Sequence, residues 1–93
     1  MYKPEPIDTK DIVLPKELLD LTEIIAKNVH DIWAVGRIEE GWKYGIAKNS
    51  ETKTTPLLVA YEELPETEKE YDRKTALETL KLIVKLGYKV ERK

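Results

Sequence analysis

The chain has 93 residues, enough to bury one core and too few to divide into two, and 41% hydrophobic with 37% charged side chains is not the composition of a disordered segment. Its 16 basic and 18 acidic residues leave a formal net charge of -2, without the basic excess a nucleic-acid binder needs, and no stretch is apolar for long enough to span a bilayer. Cysteine is absent, which excludes disulfides, thiolate nucleophiles and zinc-thiolate sites and suggests a reducing or redox-indifferent compartment; with a polar, proline-punctuated N-terminus that has no apolar core, the expected location is the cytoplasm.

Residues 1 to 14 read as an extended lead-in: Pro4 and Pro6 punctuate a polar stretch, and Ile12-Val13-Leu14 forms a short apolar patch that could pack down as a strand or staple. Pro15 suits the opening of a helix, and Leu18, Leu21, Ile25, Val29, Ile32 and Trp33 then recur at spacings of three and four. The pattern runs to Glu40 and stops at Gly41, so one helix is predicted over 15–40. From 42 to 61 the period shortens, with Trp42 and Tyr44 alternating around Lys43, a polar Asn49-Ser50 turn, and Leu57-Leu58-Val59 after Pro56. These features predict a short irregular β-hairpin packed by Trp42, Tyr44 and Tyr61, with an exposed, mobile loop from Lys48 to Thr55. Thr67-Glu68-Lys69-Glu70 has capping-box spacing, and Tyr71, Ala76, Leu77, Leu80, Ile83 and Val84 give the apolar face of a second helix over 67–86, closed by Gly87 ahead of a loose tail. The expected class is α+β, mostly α, with Leu21, Ile25, Val29, Leu77 and Leu80 in one core.

The first helix carries Asn28-Val29-His30-Asp31-Ile32-Trp33-Ala34-Val35-Gly36-Arg37, followed by Gly41-Trp42-Lys43-Tyr44-Gly45. Downstream come Pro56-Leu57-Leu58-Val59, Tyr61, Leu64-Pro65-Glu66, Tyr71-Asp72 and Ala76-Leu77-Glu78-Thr79-Leu80. This ordered set, spanning roughly 2–88 of a single domain over 1–93, resembles the ryanodine-receptor repeat domain. The resemblance implies a binding or regulatory module without catalytic activity. In the large calcium-release channels such repeats come in tandem pairs on the cytosolic side, and single-copy relatives occur in prokaryotes. One copy is present here, which implies a possible homodimer that mimics a tandem repeat.

His30, Trp33 and Arg37 lie at helical spacing on one face, where an indole plane, a guanidinium fork and an imidazole could grip a planar anion. The same three residues read equally as a core anchor, a satisfied packing histidine and an arginine paired with Glu40. The resemblance implies that they line a nucleotide-sized pocket with Asp72 close by, although an aspartate in a first helical turn also serves as a cap. The acid runs Glu39-Glu40, Glu62-Glu63 and Glu66 to Glu70 read as solvated faces. With one histidine and no phosphate-binding glycine loop, neither a metal cluster, a cofactor site nor a nucleophile-base pair is recognisable. Two functions stand side by side: recognition of a nucleotide-like or other small anionic ligand, and a protein-interaction module with no small-molecule ligand.

Overall fold

The computed structural model describes all residues, Met1 to Lys93. Its elements are α1 (Lys16–Leu19), α2 (Leu21–Glu39), β1 (Lys43–Tyr44), β2 (Thr54–Thr55), a 3-10 turn (Tyr61–Glu63) and α3 (Glu66–Lys85). The architecture is α+β and mostly helical, as expected, with α2 packed along α3. No helix is long and apolar enough to cross a membrane.

The expected helix over 15–40 is divided at Asp20, whose backbone nevertheless stays helical (φ -64, ψ -20). The Thr22 hydroxyl donates to the Leu19 carbonyl at 2.8 Å, a local bond that competes with the helical ladder at this point. Both long helices end where their glycines predicted. Gly41 (φ 92) and Gly87 (φ 95) take the left-handed conformation, which an L side chain resists. At each end the next amide turns back across the last turn, Trp42 N–H to the Arg37 carbonyl at 2.9 Å and Tyr88 N–H to the Ile83 carbonyl at 3.2 Å, a Schellman closure. The Lys53 ammonium adds a third cap by donating to the Glu40 carbonyl at 2.7 Å. The capping box expected at Thr67 does not form: α3 starts at Glu66 behind an extended Pro65, which places Thr67 inside the first turn, and no side chain caps the helix.

The hairpin expectation is corrected. β1 and β2 pair in parallel, Lys43 with Thr54 and Tyr44 with Thr55. The chain between them reverses twice, and two reversals restore the original direction. The second is a tight turn in which the Asn49 side-chain oxygen accepts from the amides of Glu51 and Thr52, while Asn49 and Thr54 exchange antiparallel backbone bonds of 2.9 and 3.0 Å. Lys48 to Lys53 are exposed as expected, but Thr55 at the end of that loop is buried and Tyr44 is exposed rather than packed.

Apolar packing forms two small clusters rather than one continuous stripe. Leu14, Leu18 and Leu80 make the first, with Ile12, Ile25, Leu77, Val84 and Val90 packed against it. The lead-in is therefore a staple and not a strand, held to α3 by the Thr9 hydroxyl on Glu78 at 2.5 Å and by Lys85, which reaches the Asp8 carbonyl and, at 3.2 Å, the Asp11 carboxylate. Val90 ties down part of the tail that was expected to be loose. The second cluster is Ala26, Tyr61 and Leu64, supported by Leu57 and Val59. Of the five residues expected in the core, Leu80 is buried, Ile25, Val29 and Leu77 are half-buried, and Leu21 is exposed. Leu21 lies on the opposite side of α2 from Ala26, and it is the small Ala26 side chain, fully enclosed, that lets Tyr61 and Leu64 approach the helix.

Candidate functional site

Helical periodicity puts His30, Trp33 and Arg37 in a row along α2, and the packing of α3 on α2 brings Asp72 to the same place. All four line one cavity of about 320 Å³, together with Val29, Leu57, Leu64, Lys48 and Glu68.

His30 is buried, and its Nε2 lies 2.7 Å from the Val59 carbonyl, a contact that only a protonated Nε2 can make favourably. That bond uses one ring nitrogen and leaves Nδ1 free. The imidazole stacks on the Trp33 indole with centroids 5.5 Å apart and planes 25° apart. Trp33 is half-buried between the core and the cavity. Arg37 lies within cation–π range of two indoles, 5.8 Å from the Trp33 ring and 5.1 Å from the Trp42 ring. Its only carboxylate contact is a long one, Nη1 to Glu40 Oε1 at 3.4 Å on an exposed edge, so most of the guanidinium fork is available to a ligand. Burial holds the Asp72 carboxyl above its ordinary range, opposed by positive charge on His30. His30 is thus a buried packing residue hydrogen-bonded through one nitrogen, and it also lines the cavity.

The RyR domain family model matches residues 2–92. The chain belongs to this family. Two residues of this RyR domain that the sequence did not assign to the site are Trp42, expected to pack the hairpin and found against Arg37, and Lys48, which lines the cavity. Trp42 comes to the site because the left-handed Gly41 turns the chain back over Arg37, a signal that was legible in the helix-ending glycine. Lys48 has no local signal; it reaches the cavity because the double reversal between β1 and β2 carries its loop toward α3.

A larger but more open cleft of about 840 Å³ lies elsewhere on the RyR domain, along α3 from Glu66 to Glu78 and against Leu19 of α1 and Thr22 of α2. Its central cation is already consumed. Arg73 is held by Glu23 on α2 at 2.6 and 3.3 Å and by Glu66 and Glu70 on α3 at 3.1 and 2.6 Å, so the cleft is a cross-linked surface whose arginine is already paired. The smaller cavity, with a largely unpaired arginine against two indoles, is the better-built site. No three His, Asp or Glu side chains gather closely enough to hold a metal ion.

Proposed function

We propose that this RyR domain is a non-catalytic binding module whose α2–α3 cavity recognises a small nucleotide-like anion. The observation that carries this reading is the meeting of Arg37, Trp33, His30 and Asp72 around one cavity, with the Trp42 indole against Arg37. Its volume is at the small end of ligand pockets, enough for a ring and a polar group with the remainder projecting outward. The charges are ordered along it. Arg37 lies seven residues beyond His30, about 10 Å up the helix, with Lys48 also lining the cavity, whereas Asp72 sits near His30 on the opposite wall. A ligand that fits has an anionic group for Arg37 and Lys48 and a hydrogen-bond donor, such as a ring amino group or sugar hydroxyl, for Asp72. The four residues come from one chain, so the site as proposed needs no second copy. The absence of cysteine fits action in the cytoplasm.

Thermal shift and calorimetry with a panel of nucleotides test this, because a ligand that binds only the folded state raises the melting temperature. Binding is expected to fall about tenfold or more in Arg37→Ala with folding retained, and its salt dependence should flatten. A panel that leaves the melting temperature unmoved at millimolar concentration would sink the reading. The interaction-module reading is favoured by a different observation, the apolar outer side of α2.

A further inference from the structure

The side of α2 turned away from the cavity is apolar as well. Leu21, Ile24, Asn28, Asp31, Val35 and Ile38 are all exposed, and their spacings of three, four, three, four and three are those of a heptad a/d stripe, about half a helical turn round from Ala26 and His30. Four of the six are large aliphatics, with Ile24 66%, Val35 56% and Ile38 61% exposed, and Ile32 at 65% flanks them. Scattered exposed aliphatics are ordinary on a protein surface, but aliphatics aligned at heptad spacing at both ends of one face of a 19-residue helix, with only Asn28 and Asp31 between them, are not.

The two polar positions decide what the stripe pairs with. A parallel copy would set Asp31 against Asp31, two like charges in one layer. An antiparallel copy related by a two-fold axis between positions 29 and 30 sets Leu21 against Ile38, Ile24 against Val35 and Asn28 against Asp31. Every aliphatic then meets an aliphatic, and each Asn28 amide can donate to the carboxylate of the opposing Asp31, twice by symmetry. We infer that the outer face of α2 is an antiparallel homodimer interface between two copies of this chain, registered by the Asn28–Asp31 layers. The strip is about 25 Å long and 10 Å wide, roughly 250 Å² on each copy and below the size of a stable interface, which makes the dimer weak and reversible. Because the stripe and the cavity lie on opposite sides of α2, both ligand cavities stay open outward, and the pairing does not depend on the ligand reading.

The test is sedimentation velocity of the whole chain up to about millimolar concentration, where a reversible monomer–dimer equilibrium is expected. Ile24→Lys, at an exposed position, should leave the helical circular dichroism unchanged and abolish the dimer. Asn28→Lys should tighten it and Asn28→Asp weaken it, each by about tenfold or more, because the opposing group is the Asp31 carboxylate. The chain has no cysteine, so introduced thiols report register directly. A mixture of Ile24→Cys and Val35→Cys chains should form a mixed disulfide, whereas Ile24→Cys alone should not, its two copies lying about 16 Å apart along the axis. A chain that stays monomeric at the highest concentration, a dimer indifferent to Ile24→Lys, weakening by Asn28→Lys, or a disulfide in Ile24→Cys alone would each overturn the proposal.

Discussion

At the scale of single residues, the tightest constraint is Gly45. A Cβ built there would lie 2.6 Å from the Thr54 Cβ, an atom anchored directly to the backbone of β2, so neither strand can yield cheaply. Gly45→Ala is expected to destabilise by about 1–3 kcal/mol in urea unfolding, with displacement of the loop that carries Lys48 to the cavity. Asp72 is the residue whose protonation the fold shifts against charge. Its folded-state value is raised by burial, so its contribution to stability is present below the ordinary aspartate value of 3.8 and is lost as pH rises through the raised folded value. Asp72→Asn should therefore be at least as stable as the parent at neutral pH, and the comparison should turn toward the parent as pH falls below about 4. Thermal denaturation from pH 3 to 7 reads this, and an Asp72→Asn variant less stable than the parent at pH 7 would show instead that the ionised carboxylate holds a contact. Tyr61 is shifted by the same cause. Its hydroxyl is buried, and burial, followed by the Glu23 carboxylate beside it, pushes the phenol up.

At the scale of elements, α2 is the helix on which everything turns, because it is apolar on both sides. The inward side meets Tyr61 and Leu64 across Ala26, and the outward side is the heptad stripe. Equal hydrophobicity therefore does not mean equal contribution to folding. Leu80→Ala, which opens the cluster shared with Leu14 and Leu18, should cost about 2–5 kcal/mol, whereas Leu21→Ala should stay within about 0.5 kcal/mol in the monomer. Chemical denaturation at low protein concentration compares the two directly, and equal losses would contradict the division of α2 into a core side and an outer side. The helix ends were readable from sequence because their cause is local: Gly41 and Gly87 reach a left-handed φ that other residues avoid, and no distant contact is needed to place them. The capping box at Thr67 failed for an equally local reason, since Pro65 already supplies an extended entry and starts the helix one residue sooner.

At the scale of the whole molecule, the weakness of the core throws weight onto ionic cross-links between segments. Only ten of 93 residues are buried and none of the large side chains is fully enclosed. Arg73 joins α2 to α3 through Glu23, Lys27 joins α2 to the 3-10 turn through Glu62 at 3.2 Å, and Lys85 joins α3 to the lead-in through Asp11. These cations hold the carboxyls of Glu23, Glu62 and Asp11 below their ordinary values. Groups shifted in that direction add stability that is present above the ordinary values of 3.8 and 4.5 and is lost as pH falls through the lower folded ones. The melting temperature should accordingly drop below about pH 4.5, and Arg73→Ala should lower it at pH 7 while flattening that acid limb; an acid limb unchanged in the variant would remove Arg73 from this role. The sequence by itself determined what depends on neighbours along the chain: two long helices, where they stop, and the row of His30, Trp33 and Arg37 that a 3.6-residue period must align. Only the tertiary structure decided which side of α2 is buried, because Leu21 and Ile25 are alike in hydrophobicity, and it is Ile25 that meets the cluster of Leu14, Leu18 and Leu80 from the lead-in, α1 and α3. The same holds for the parallel pairing of β1 with β2, set by two chain reversals rather than one, and for the arrival of Lys48 and Asp72 opposite Arg37 and His30, which depends on contacts between residues far apart in the chain.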